Sequence, residues 1–74
     1  MKGYIERMMK EEAELAEKIN KLSVFIDNGC NGEKLELFEH GLLVAQLHSM
    51  ITYDTILLQR ITLAMNKEEK EGDK

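Results

Sequence analysis

The sequence predicts an all-α fold, an antiparallel two-helix hairpin that assembles into a symmetric oligomer. Three observations carry that expectation. Apolar residues recur at helical spacing on both sides of one Asn/Gly-rich turn, in a chain of 74 residues without proline. The second half of the chain is apolar on more than one side of its helical wheel, which is more than one partner helix covers. Finally, 74 residues bury only about 60% of their unfolded surface, a marginal core that small domains supplement with disulfides, metals or partner subunits.

Composition narrows those supplements. Cys30 is the single cysteine, so it has no intramolecular partner, and a reducing, cytoplasmic setting is expected. His40 and His48 stand outside any Cys/His cluster, so neither a metal nor another cofactor is expected. Oligomerisation remains, making other copies of the chain the first expected partner. A net charge of −4 argues against long nucleic acid, which needs a broad basic face, but leaves room for a small phosphate ligand held by two or three local cations. The opening "MKGYIERMMKEEAELAEK" alternates charges without an apolar h-region, so no signal peptide is expected. There is no unbroken run of 18 apolar residues, and no membrane partner is expected.

Helix 1 is expected over about residues 4–27. Ile5, Met8, Leu15, Ile19, Leu22 and Ile26 follow a 3/4 spacing interrupted by Glu12. Its outer surface carries Glu6–Lys10, Glu14–Lys18 and Glu17–Lys21 in the favourable i,i+4 order. The turn, residues 28–32, lies within "DNGCNG", where Asn and Gly supply left-handed backbone and Asn31 is placed to cap the next helix. Helix 2 follows over about residues 33–65, with Glu33 and Glu36 in its first turn and Gly41 as a potential break. Residues 1–66 make one hairpin domain. Residues 67–74, "KEEKEGDK", are a charged tail expected to fray for want of an apolar anchor.

Helix 2 has two apolar sides. Leu43, Met50, Leu57 and Ala64 form one column, flanked by Leu47 and Ile61 and by Val44, Ile51, Leu58 and Met65. Leu42, Ile56 and Leu63 form a second column across the wheel. From Gly41 to Gln59 the one formal charge is Asp54. A helix of this kind is the inner helix of an assembly of hairpins.

Between the apolar columns run Gln46, Tyr53 and Arg60, at i, i+7 and i+14. Three readings fit them. They form an interface seam, since Tyr and Arg favour protein contacts and polar seam residues fix register. Alternatively they are ordinary surface. Or they line a ligand site between subunits, where Arg60 holds an anion and Tyr53 stacks on a flat ring. Asp54 reads as a satisfied buried carboxylate paired across a subunit boundary, a Lys of helix 1 being one candidate partner, rather than as a catalytic acid, because no second carboxylate or His is placed to share a proton with it. His48, Thr55 and Thr62 read as a solvated face, and Cys30 has no neighbouring base to activate it. On helix 1, Tyr4, Lys18 and Phe25 share a column with Glu11 between them, while Arg7, Glu14 and Lys21 share another. Such basic residues are usually solvated partners of Glu. An aromatic beside a Lys at a subunit boundary can also grip a base and a phosphate. Nothing forms a catalytic constellation, and no enzyme is expected.

The stretches "LAEKINKLSVFID" and "LLVAQLHSMITYDTILLQRI" resemble the hairpin domain of phage anti-CBASS and anti-Thoeris sponge proteins. The family's first-helix pattern, L-x-x-K-x-x-K-L-x-x-F, is met by Leu15, Lys18, Lys21, Leu22 and Phe25. Its second-helix pattern is met by Leu42, Leu43, Gln46, Met50, Tyr53, Leu57, Arg60 and Ile61. The resemblance implies a hexamer, a trimer of dimers, acting in the cytoplasm of the bacterial host. It implies sequestration, without cleavage, of cyclic di- or trinucleotides or cyclic ADP-ribose isomers. It places Gln46, Tyr53 and Arg60 at or near ligand-bearing subunit contacts. With the helix 1 columns, the candidate ligand-binding set is Tyr4, Arg7, Lys18, Lys21, Phe25, Gln46, Tyr53 and Arg60. The competing reading is an oligomeric helical-hairpin structural or adaptor protein without a small-molecule ligand.

Overall fold

Helix-forming residues fill both arms of the chain, and glycine interrupts them where the backbone must turn. A computed structural model describes residues 3–32 and 34–72. It has two α-helices, α1 at Gly3–Asp27 and α2 at Leu37–Gly72, joined through a short 3-10 turn at Gly29–Gly32. The helices lie side by side and antiparallel, giving a rod of 59 × 16 × 15 Å.

The turn takes its shape from left-handed residues. Gly29 and Gly32 adopt φ of 63° and 81°, which glycine does without a Cβ penalty. Cys30 also adopts positive φ, 57°, which is uncommon for a residue with a side chain, and its thiol is buried. The Asn28 amide donates to the Val24 carbonyl at 3.0 Å, closing the last turn of α1 before Gly29 reverses the chain.

Helix 2 begins later and ends later than the spacing predicts. Residues 34–36 have no regular structure, and Glu33 lies outside the described residues. The first helical bond beyond the turn runs from the His40 amide to the Glu36 carbonyl at 2.9 Å. Glu36 is therefore the capping position, and Glu39 is the acid in the first turn. Asn31 sits within the 3-10 turn, too far upstream to cap a helix that starts at Leu37. At the other end the supposed frayed tail is helical as far as Gly72, while residues 73 and 74 lie outside the described residues. Apolar anchoring is absent there, but Lys and Glu are good helix formers, and nothing breaks the run before Gly72.

Gly41 does not break α2. A Cβ built there meets nothing within 4 Å. Gly41→Ala is expected to raise the unfolding free energy by roughly 0.5–1 kcal/mol, read from denaturant titration, because it removes unfolded-state freedom at no steric cost.

The core forms where the two apolar stripes meet. Ile5 and Leu57 are fully buried, Met8 and Ile61 nearly so, and Leu15 and Ala64 pack against them. Burial thus follows the column from Leu43 to Ala64 on α2. The other apolar column stays outside: Leu42 is 56%, Ile56 48% and Leu63 69% exposed. Val44 is half-buried, while Ile51, Leu58 and Met65 beyond it are exposed. One hairpin leaves most of the second column and its flank uncovered.

By length and composition α2 is also apolar enough to cross a membrane, with a mean hydropathy of 1.2 in its best window within Leu37–Glu69. The expectation from the sequence, which counts unbroken apolar runs, overlooks that average. What separates the two kinds of helix is placement. Asp54 lies in the middle of α2 and is drawn against α1, while Gln46, His48, Ser49 and Thr52 line exposed positions. A charged side chain at mid-bilayer costs about 2.5–3.5 kcal/mol on insertion scales.

Candidate functional site

Two columns separated by most of the chain run alongside one another in the hairpin. Tyr53 of α2 donates its phenolic hydrogen to the Glu11 carboxylate of α1. Glu11 belongs to the seven-residue column of Tyr4, Lys18 and Phe25, and Tyr53 to that of Gln46 and Arg60. Antiparallel helices of equal pitch carry the register along both columns. Tyr4 therefore stands at the level of Arg60, Glu11 at that of Tyr53, and Lys18 at that of Gln46. At the turn end, Phe25 and Gln46 line one shallow groove of about 390 Å³ with Leu35, Glu39, Leu42 and Leu43. The seam is thus a row of rungs, each about 10.5 Å from the next.

Each rung has its own chemistry. Tyr4 is 43% exposed and Arg60 is exposed, offering an aromatic face and a cation at one level. No carboxylate forms an ion pair with Arg60 among the described residues. Arg7 is exposed in the same part of α1, its guanidinium folded back beside Gly3. In the middle rung the Glu11 hydrogen bond, then partial burial and the Glu11 charge, push the Tyr53 hydroxyl above the usual tyrosine range, and Arg60 pulls the other way. Gln46 makes a weak contact with the Met50 sulfur at 4.0 Å and otherwise points to solvent.

The remaining candidates are placed differently. Lys18 is exposed. Lys21 pairs within its own helix with Glu17 at 3.0 Å, and both side chains are largely solvated. The eight candidates therefore spread along the rod, with Tyr4, Arg7 and Arg60 at one end, Tyr53 in the middle, and Lys18, Lys21, Phe25 and Gln46 towards the turn. Gln46 and Arg60 are 14 residues apart, about 21 Å along α2. One protomer does not gather all eight into one pocket.

Asp54 departs from the expectation for it. Within the protomer it neighbours Glu12 of α1, a second carboxylate where none was expected, and its Oδ1 has no hydrogen-bond partner there. Hydrogen bonding to Asp54, then burial, then the Asp54 charge, hold the Glu12 carboxyl above the usual glutamate range. By spacing alone Glu12 is a mere interruption of the apolar stripe. The available signal is that both acids occupy core-facing positions on facing stripes. Glu39 and Leu35, which line the groove beside Phe25 and Gln46, carry no such signal in the sequence.

His48 lines an exposed patch with Ser49, Thr52, Tyr53 and Ile56. The hydroxyls of Ser49, Thr52, Thr55 and Thr62 each donate to the carbonyl four residues back at 3.0 Å. These groups are satisfied within the helix. Among the described residues, no group of three or more His, Cys, Asp or Glu is arranged to hold a metal ion.

A family model described as Sequestin matches residues 2–63. No curated protein and no solved structure matches the chain.

Proposed function

The chain belongs to the Sequestin family, and from that premise we propose that it binds and sequesters cyclic nucleotide immune signals between subunits without cleaving them. Its family name fits a sequestering protein rather than a catalyst. In this reading it is a phage counter-defence protein acting in the bacterial host's cytoplasm. Its ligands are cyclic di- or trinucleotides or cyclic ADP-ribose isomers.

The observation that carries the proposal is the end rung of the seam. Arg60 has no ion pair among the described residues and shares its level with an exposed Tyr4. A guanidinium fork suits phosphate oxygens, and an aromatic face suits a flat base. One rung offers too little to enclose a cyclic dinucleotide, so a second hairpin must complete the site. The uncovered Leu42, Ile56 and Leu63 column supplies a reason for hairpins to associate. We take the assembly to be a hexamer, a trimer of dimers. With Arg7, Lys18 and Lys21 also exposed, subunit contacts at either end of the rod would concentrate cations in a protein of net charge −4.

The structural reading draws on the Tyr53–Glu11 bond, which ties part of the polar seam up within the protomer. Equilibrium dialysis against cyclic nucleotides, followed by heat release and mass analysis, separates the two. Sequestration predicts retention of at least one ligand and its recovery with unchanged mass. Retention of none favours a structural hairpin, and recovery of linear products would mean an enzyme.

A further inference from the structure

Two acids meet inside the hairpin. Glu12 continues the α1 stripe of Ile5, Met8 and Leu15, and Asp54 lies beside Leu57 and Ile61 on α2. Both are partly withdrawn from water, and Asp54 Oδ1 is buried with no hydrogen-bond partner. One turn along from Met8 on α1 and from Leu57 on α2, the two acids occupy the next layer of the same interface, and hydrogen bonding with Asp54 is the first cause that holds the Glu12 carboxyl above the usual glutamate range. Ionised carboxylates only accept hydrogen bonds, so two acids facing each other bond only when one of them carries a proton. We propose that Glu12 and Asp54 form a proton-operated latch between the helices, closed while the pair shares one proton and loosened when both carboxyls ionise.

The surroundings leave the second charge uncompensated. From α2, the charged group acting on Glu12 is Asp54. From α1, the neighbouring acid is Glu11, already engaged with Tyr53. The cation at this part of the seam, Arg60, acts on Tyr53 and is not among the groups that shift Glu12. Two like charges in a half-buried contact, without a cation, disfavour the closed hairpin.

The direction with pH follows. Glu12 holds its proton more tightly in the folded hairpin than in the unfolded chain. The latch's contribution is therefore fully present below the ordinary glutamate value of about 4.3, and it is lost as pH rises through the raised folded value. Most acids paired with cations behave the opposite way. The latch belongs to the hairpin itself and does not depend on the ligand assignment.

Thermal unfolding of the full chain, followed by far-ultraviolet circular dichroism at one protein concentration, tests it from about pH 4.5 to about pH 8. The readout is the melting-midpoint difference between Glu12→Gln and the wild type. The substituted amide donates to Asp54 without titrating, so the latch predicts that this difference grows in favour of the variant as pH rises. A difference that stays constant or shrinks with pH overturns the proposal. Asp54→Asn removes the same pair from the other side, and the same divergence is expected for it. If Glu12→Gln fails to fold, a constant difference for Asp54→Asn overturns the latch equally.

Discussion

Leu57→Ala is expected to lower the unfolding free energy by about 2–5 kcal/mol, an effect that only truncation of the equally buried Ile5 should match. Leu57 is fully buried, packed with Ile5, Met8 and Ile61 where α1 and α2 meet. The loss combines the transfer energy of the deleted atoms with the cavity they leave. A domain of this size has only about 4–11 kcal/mol to lose, at roughly 0.05–0.15 kcal/mol per residue. The substitution therefore removes a large fraction of the total. Urea denaturation at fixed protein concentration reads it directly, since association would otherwise shift the midpoint. A loss below about 1 kcal/mol would mean that the core is not where the helices cross at Ile5 and Leu57.

Arg60→Ala is expected to leave helix content and assembly intact while weakening ligand retention about tenfold to more than a hundredfold. Charge-assisted hydrogen bonds contribute about 1.5–3 kcal/mol each, and every 1.4 kcal/mol is a factor of ten in affinity. Intact assembly follows from the protomer, where Arg60 is exposed and has no ion pair among the described residues. Arg60→Lys keeps the charge but not the fork, and should recover only part of the binding. The opposite outcome is equally informative. If Arg60→Ala dissolves the oligomer, the residue pairs with an acid of a neighbouring subunit and the polar column sets register.

Much of this arrangement was legible in the sequence. Helical periodicity reveals which residues share a face, and the buried column of α2 is the one that its wheel marks out. The same periodicity isolated the uncovered Leu42, Ile56 and Leu63 column and the two seven-residue columns of the seam. Periodicity does not reveal the axial offset between two helices. That offset depends on how many residues the turn consumes, and residues 34–36 lengthen it beyond the Asn/Gly signal. The Glu11–Tyr53 rung and the Glu12–Asp54 contact were hidden for that reason. The extent of α2 was hidden on other grounds, since its last residues lack the apolar periodicity that marks a helix and rely on the helix propensity of Lys and Glu. Local propensity alone carries α2 on to Gly72.

The uncharged stretch of α2 now has a physical account. Its inner column is covered by α1, its Ser and Thr hydroxyls bond to their own helix, and its second apolar column remains open. A helix with that surface is unsuited to solitary existence in water. In the proposed assembly, other hairpins cover it and the Tyr4–Arg60 rung faces the space they leave.

Native mass spectrometry tests that assembly and its ligand together. The protein is sprayed alone, then with a panel of cyclic dinucleotides, cyclic trinucleotides and cyclic ADP-ribose isomers. The account predicts a discrete hexamer that gains whole, unmodified ligand masses from at least one member of the panel. A defined oligomer that gains none of them, or a monomer throughout, would contradict it.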